Sequence, residues 1–178
     1  MGRLIAPTLR TAERADASSL AALALEVWFA TYIRHGINAH FADFALAHFT
    51  PDRFRGWIDD PRHILITSQN RDGIDGFVHI DCNSPDPVGG SVQTELTSLY
   101  IQPRHQGRGL GRDLLRAGLA TQDGRIWLAV NCENDKARAF YHAHDFTKLG
   151  ETDFKIGDQR YPNDILISLR IATEDEPA

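Results

Sequence analysis

The segment with the clearest chemical potential is residues 106–112, which read QGRGLGR and contain three glycines. An alternating apolar run precedes it and an amphipathic run follows it, so the sequence predicts a strand, a glycine turn and a helix in that order. Glycine allows a backbone to approach a ligand closely, and the unpaired N–H groups at the start of a helix attract anions. The segment therefore predicts a binding site for a phosphate group.

Two nucleotide-binding motifs fail on their spacing here. A P-loop requires GxxxxGK followed by Ser or Thr, and neither Lys-Ser nor Lys-Thr follows these glycines. A dinucleotide fingerprint requires a third glycine where Arg112 or Leu114 stands. A small kinase is disfavoured for the same reason and because no carboxylate pair for magnesium is evident. A structural turn, in which glycine only relieves crowding, stays open.

Two motifs carry a resemblance to a known family. Residues 106–111 follow the strand ending LYIQP with the pattern Q-x-x-G-x-G, and residues 134–141 have the pattern N-x-x-A-x-x-F-Y. Together they resemble the acetyl-coenzyme A (acetyl-CoA) motif and a later helix of the GNAT N-acetyltransferase superfamily. Family members usually carry glycine where this chain has Asp145, and Asp tolerates a left-handed helix end better than most residues.

The resemblance implies how acetyl-CoA, the acyl donor, would be held. The main chain of the turn would bind the pyrophosphate, and the edge of the preceding strand would pair with the pantetheine amides. The implied cofactor-binding residues are Leu99, Tyr100, Ile101, Gln106, Gly107, Arg108, Gly109, Leu110, Gly111, Arg112, Asn134, Ala137 and Phe140. Tyr100 is also placed to line the acceptor side, and Asn134 has a structural alternative as a helix N-cap. No metal is expected.

Acetyl transfer to an amine requires a neutral amine and a proton for the leaving thiolate. Deprotonating an alkyl ammonium of pKa about 10.4 at pH 7 costs roughly 4–5 kcal/mol. The resemblance implies Glu95 as the general base, with a chain of waters as the alternative. It implies Tyr141 as the acid, because a phenol of pKa about 10 can protonate a thiolate whose acid has a pKa near 8.5. A core position for the Tyr141 ring is the alternative.

The remaining candidates are less specific. Trp28 and Tyr32 share a helix face at i and i+4, in a region where the family shapes its amine pocket, so their rings are candidate substrate-binding groups. Such rings are also common core residues. Cys132 as a covalent nucleophile is disfavoured, since no paired histidine accompanies it. Four histidines are expected to be either solvated or buried in the core with their hydrogen bonds satisfied: His79, His105, His142 and His144.

The elements that must position these groups are mixed α/β in order. Strands are predicted at residues 8–12, 63–67, 76–81, 95–101, 125–130, 146–155 and 161–171. Helices are predicted from Asp16, which would act as the N-cap, over 40–49 continuing from Pro51 to 58, over 110–119 and over 134–144. Residues 83–91, rich in proline and glycine, predict a long connector. We expect one GNAT-like domain at 1–171, with a twisted mixed sheet of about six or seven strands and about four helices, and an acidic flexible tail at 172–178.

Composition restricts the function further. The chain has 178 residues with a formal net charge of −5, which argues against nucleic acid as a partner. Two cysteines form no disulfide framework, and no leader or membrane span is evident, so a cytoplasmic enzyme is expected. The expected reaction moves acetyl from acetyl-CoA to a primary amine of a small molecule or peptide by direct attack in a ternary complex. The alternative is a non-catalytic acyl-CoA binding or sensing module, and a homodimer is possible.

Overall fold

A computed structural model describes residues 8–33 and 35–169. The predicted tail at 172–178 and residues 170–171 of the last predicted strand lie outside the described residues. The strands are β1 (Thr8–Thr11), β2 (His63–Gln69), β3 (Ile74–Asp81), β4 (Glu95–Ile101), β5 (Trp127–Asn131), β6 (Phe146–Ile156) and β7 (Gln159–Ser168). The helices are α1 (Ala17–Tyr32), α2 (Ala39–His48), α3 (Pro51–Asp59), α4 (Leu110–Leu119) and α5 (Asp135–His142).

The seven described strands are hydrogen-bonded in the order β1-β2-β3-β4-β5-β7-β6. β1 is antiparallel to β2, and β7 is antiparallel to both β5 and β6. β4 and β5 are parallel and are joined through α4, as a parallel pair requires a crossover connection. The predicted mixed α/β fold with a central mixed sheet is confirmed.

The chain divides into two compact units. Unit 1 comprises Met1–Ile80 and Ser98–Gly118, and unit 2 comprises Asp81–Thr97 and Leu119–Ala178. The most buried side chains of unit 1 include Leu20, Phe54, Phe77, Ile80, Leu114 and Leu115. Those of unit 2 include Ile126, Leu128, Phe146, Ile165 and Leu166. Each unit thus has an apolar core of its own beneath its part of the sheet.

Local sequence signals explain where several helices begin. The side chains of Asn38 and Thr50 accept hydrogen bonds from backbone N–H groups in the first turns of α2 and α3, and Pro51 opens α3. Asp16 lies at the predicted N-cap position of α1, but its side chain makes no capping hydrogen bond to that helix. Its carboxylate accepts hydrogen bonds from Arg10 and from the Glu13 N–H instead, so it closes the short 3₁₀ turn before α1.

The predicted bounds of β4 and α4 are confirmed to the residue, whereas β5 begins at Trp127 rather than at Arg125. The reason is local, because the Ile126 N–H donates to the side-chain hydroxyl of Ser168 rather than to a main-chain carbonyl. Among the described residues, no helix combines the length and the apolar character that crossing a bilayer requires.

Candidate active site

The glycine turn of unit 1 has the conformation that its sequence predicts. After a short 3₁₀ turn, the Gln106 side chain folds back and its Nε2 donates to the carbonyl of Ile101 at 3.1 Å. Gly107 and Gly109 then have φ values of 75° and 86°, in the left-handed region that side chains disfavour. α4 starts at Leu110, immediately after the second of these residues.

The surroundings of the turn fit an anionic ligand. Among the described residues, a Cβ at Gly107 would meet no atom within 4 Å, and one at Gly109 would first meet Nη2 of Arg112 at 3.5 Å. Arg108 and Arg112 are exposed, and Arg112 also contacts Asp113 at 3.0 Å. The first-turn N–H groups of α4 and two guanidinium groups are suited to a diphosphate.

A buried carboxylate supports the turn from β3. Oδ2 of Asp75, whose side chain is 3% exposed, lies 3.2 Å from Nδ1 of His105 and accepts from Nδ2 of Asn70 at 2.9 Å. The Gln102 N–H donates to the main-chain carbonyl of Asp75 at 2.9 Å. His105 is therefore a satisfied residue, as predicted. Sequence analysis missed Asp75, although an aspartate between the apolar Ile74 and the run GFVHI is a detectable signal.

Glu95, the predicted base, is the first residue of β4 and belongs to unit 2. Its side chain is half-buried, and Oε2 accepts a hydrogen bond from the Ser84 hydroxyl at 2.7 Å. Burial raises the pKa of Glu95, the Ser84 hydrogen bond lowers it, and the charge of Asp81 raises it further. A carboxylate with a raised pKa is a stronger base, which suits proton abstraction.

Tyr141, the predicted acid, lies on α5 in unit 2 and is 8% exposed. Its ring packs edge-on against Phe140 at 5.3 Å and against Phe146 at 5.6 Å between centroids. The helix begins with Asn134, whose side chain accepts from the Ala137 N–H at 3.1 Å. The structural role considered for Asn134 is therefore present, and the Tyr141 ring is buried against its aromatic neighbours.

Three charged residues form ion pairs that attach α5 to the neighbouring strands, and sequence analysis missed these pairs. Nε of Arg138 donates to Asp164 Oδ2 at 2.9 Å, and Nζ of Lys148 lies 2.7 Å from Oδ1. The Asp164 side chain is 2% exposed, and the Lys148 hydrogen bond lowers the pKa of Asp164. The carboxylate is thus held ionised between helix and strand. An aspartate in the apolar strand PNDILI was the available signal.

The end of α5 resolves the departure from the family pattern at Asp145. This residue has φ 63°, the left-handed conformation in which glycine is usual. Its carbonyl accepts from the Leu169 N–H at 2.8 Å, and the preceding His144 N–H donates to the Tyr141 carbonyl. Aspartate therefore fills the conformational role of the expected glycine.

The predicted acceptor-side rings lie in unit 1, within an aromatic cluster. Trp28 is 3% exposed and stacks on Tyr32 with centroids 4.8 Å apart, and it also contacts Phe41, Phe44 and Phe49. Trp28 is therefore a core residue of this unit. Tyr32 is half-buried, and burial raises its pKa. Of the two rings, Tyr32 is therefore the one that keeps solvent-exposed surface.

Tyr100 joins the same cluster from β4. Its ring contacts Phe49 at 6.3 Å and Phe77 at 5.5 Å between centroids, and burial raises its pKa. The Tyr100 side chain is half-buried and takes part in the aromatic packing of this cluster.

Cys132 is bonded in a manner that disfavours nucleophilic chemistry. Its Sγ donates to Asp164 Oδ1 at 3.5 Å, and burial together with that carboxylate raises the pKa of the thiol. Nucleophilic cysteines need the thiolate form. A covalent acetyl-enzyme on Cys132 is therefore disfavoured, as the sequence indicated.

Comparison with known proteins places this fold and these motifs in one family. Residues 60–148 match the acetyltransferase (GNAT) domain. An uncharacterized N-acetyltransferase of Mycobacterium tuberculosis is 30% identical over 146 residues, covering 80% of this chain and 90% of that protein. N-alpha-acetyltransferase RimI of the same species is 39% identical over 101 residues, covering 56% and 62% respectively. The chain belongs to the GNAT family, and its predicted identity as an acetyltransferase is confirmed.

Solved structures with the same fold include ligand complexes. The PaiA N-acetyltransferase of Thermoplasma acidophilum in complex with coenzyme A has a TM-score of 0.70 at 15% identity, covering 92% of this chain and 99% of that one. YncA of Salmonella typhimurium, solved with acetyl-CoA, has a TM-score of 0.67 at 17% identity, covering 98% and 99%. These likenesses confirm the fold.

Proposed function

We propose that this enzyme transfers the acetyl group of acetyl-CoA to a primary amine of a small molecule or peptide, by direct attack in a ternary complex. The observation that carries the proposal is the turn between β4 and α4, in which Gly107 and Gly109 are left-handed and a Cβ at Gly107 would meet open space. Coenzyme A and acetyl-CoA in structures of the same fold support it.

The binding role falls to main-chain groups. The N–H groups of residues 106–112 would hold the pyrophosphate, assisted by the exposed guanidinium groups of Arg108 and Arg112. The main chain of Leu99 and Ile101 would pair with the pantetheine amides, as an added strand pairs with a sheet edge. When bound, acetyl-CoA supplies the activated acetyl group.

Proton transfer falls to two side chains of unit 2. Glu95 would accept the proton that the ammonium group of the acceptor must lose, and its burial-raised pKa narrows the gap between base and ammonium. Each pKa unit by which this difference decreases lowers the cost of the proton transfer by about 1.36 kcal/mol. Tyr141 would return a proton to the departing thiolate from its phenol group. Direct transfer is favoured over a covalent route because Cys132 is held as a thiol.

The first experiment tests binding of acetyl-CoA by calorimetry. Gly109→Glu places a carboxylate in the turn, and we expect binding to be lost by steric block and charge repulsion. Gly73→Glu, in the β2–β3 turn, is the matched control, because Gly73 also has a positive φ and, as at Gly109, a Cβ there would meet no atom closer than 3.5 Å. Equal binding by Gly109→Glu and the control would contradict the role of the glycine turn.

The second experiment measures thiol release from acetyl-CoA with a panel of amines. The panel contains an alanine-starting peptide, a lysine peptide, spermidine and an amino sugar. The peptide N-terminus comes first because a relative is named N-alpha-acetyltransferase RimI. We expect Glu95→Gln and Tyr141→Phe to reduce kcat by about 10²–10⁴-fold, the range for general acid–base groups, with acetyl-CoA affinity retained. Wild-type turnover in either variant would remove that residue from the mechanism.

A further inference from the structure

We propose that Ser84 is a positioning residue for Glu95: its hydroxyl holds Oε2 of the carboxylate, keeps that group ionised and leaves Oε1 to accept the proton of the amine. The inference rests on the proposed role of Glu95 as the base. Ser84 lies in the connector between β3 and β4, and its hydroxyl donates to Oε2 at 2.7 Å. A hydrogen bond to an ionised acceptor is stronger than one between neutral groups.

Ser84 is itself held by its main chain. Its N–H donates to the carbonyl of Gln93 at 2.8 Å, and its carbonyl accepts from the indole Nε1 of Trp127 at 2.7 Å. Both main-chain polar groups of Ser84 are therefore hydrogen-bonded. With the backbone fixed in this way, the Ser84 hydroxyl needs only a choice of rotamer to reach Glu95.

Trp127 connects this arrangement to the strand that carries Glu95. It is 6% exposed, it is the register partner of Glu95 in the β4–β5 pairing, and its N–H donates to the Thr94 carbonyl at 3.0 Å. Trp127 also forms a buried apolar cluster with Val92, Ile165 and Ile167. Ser84 and Glu95 are thus both attached to Trp127, one through its indole and the other through the strand pairing, which limits their relative motion.

The connector is ordered by a second carboxylate. Asp86 is 6% exposed, and its side chain accepts from the N–H groups of Val88 at 3.2 Å, Gly90 at 2.8 Å and Val92 at 3.3 Å. Its own N–H donates to the Val92 carbonyl at 3.0 Å. Pro85 and Pro87 flank it and restrict φ on both sides. The residues around Ser84 therefore have a defined conformation.

The chemistry of the donor also fits the role. The charged neighbour that acts on Glu95 is Asp81 at the end of β3, and it disfavours the ionised form, as burial does. From β5 the facing residue is the neutral Trp127, and from the connector it is Ser84. A neutral hydroxyl supports the carboxylate without the strong loss of basicity that a paired lysine or arginine would cause.

The test is a pH titration of the Glu95 carboxyl carbon by ¹³C NMR, on protein labelled at the glutamate side-chain carbonyl and assigned with Glu95→Gln. In Ser84→Ala we expect the titration midpoint to rise by about one pH unit, a tenfold gain in proton affinity. Ser84→Thr retains the hydroxyl and should keep the wild-type midpoint. Ser91→Ala, an exposed serine of the same connector, is the control and should also keep it.

A midpoint in Ser84→Ala equal to that of wild type overturns the proposal, as does a rise of equal size in Ser91→Ala. If Ser84→Ala does not fold, Ser84→Cys replaces it, because a thiol is a weaker donor and should give a smaller rise. The proposed function has a separate readout: unchanged thiol release by Glu95→Gln ends the base role, whatever the titration shows. If Glu95→Gln reduces turnover but the midpoint in Ser84→Ala does not change, the role of Ser84 is refuted and the role of Glu95 as the base is retained.

Discussion

Removing the carboxylate of Asp86 tests whether the β3–β4 connector is a built part of unit 2. Asp86→Ala deletes the acceptor for three backbone N–H groups, those of Val88, Gly90 and Val92. Val88 and Gly90 are exposed, so water can replace the carboxylate there, whereas Val92 is 9% exposed and belongs to the Trp127 cluster. The unsatisfied N–H of Val92 therefore dominates the expected effect.

The magnitude follows from the partners. A buried donor left unsatisfied costs about 1–3 kcal/mol, and the two solvated bonds add about 0.5–1 kcal/mol each. We expect the free energy of unfolding to fall by about 2–5 kcal/mol, and Tm to fall by on the order of 10 °C for a chain of this length. Asp86→Asn keeps one acceptor oxygen, which can serve the Val88 and Gly90 donors, but it removes the acceptor of the buried Val92 N–H. It should therefore lose the larger part of this free energy, about 1–3 kcal/mol.

Urea denaturation followed by tryptophan fluorescence measures both variants. Trp127 reports on this part of the fold because its indole donates to Ser84. Gly90→Ala is a steric counterpart, since its Cβ would lie 2.5 Å from Asp86 Oδ2 and displace the carboxylate. The reasoning is refuted if Asp86→Ala is as stable as wild type, or if Asp86→Asn is the less stable of the two.

Three further predictions concern other parts of the molecule. Burial lowers the pKa of His79 to about 3, so the unfolded chain binds an extra proton at low pH, and this group alone should lower the free energy of unfolding by about 2 kcal/mol from pH 7 to pH 5. In urea titrations, a flat pH profile in wild type, or an equal loss of stability in His79→Phe, would contradict this. Gly118→Val should destabilise by about 1–3 kcal/mol, because even a Cβ there lies 3.1 Å from Ile80; an unchanged denaturation midpoint would disprove the packing argument. Asp164→Ala removes one ion-pair partner from Arg138 and one from Lys148 and should raise amide hydrogen exchange in α5. Wild-type protection would show that these ion pairs do not hold the helix.

Local patterns account for the parts of the site that the sequence predicted well. The strand at residues 95–101, the turn after it and the helix at 110–119 are encoded by alternation, by glycines and by a 3.6-residue period, all within one short stretch. The left-handed conformations of Gly107 and Gly109 follow from the absence of a Cβ. These features need no distant partner, so neighbouring residues are enough to predict them.

Periodicity could not decide the surroundings of a side chain. Trp28 and Tyr32 share a helix face, yet one is enclosed by aromatic rings and the other keeps some solvent exposure. Asp16 had the position of a helix cap, but the guanidinium of Arg10 competes for its carboxylate. Helix spacing identifies a face, whereas burial and hydrogen-bond partners depend on what packs against that face.

The sequence by itself therefore determined the family, the order of elements and the conformation of the glycine turn, because short local segments of the chain are sufficient to encode each of these. Only the tertiary structure decided the partners of the ionisable groups: Asp75 with His105, Glu95 with Ser84, and Asp164 with Arg138 and Lys148. The physical reason is that a carboxylate acquires its charge state from burial and donors that the fold brings to it, and those donors come from other elements of the chain.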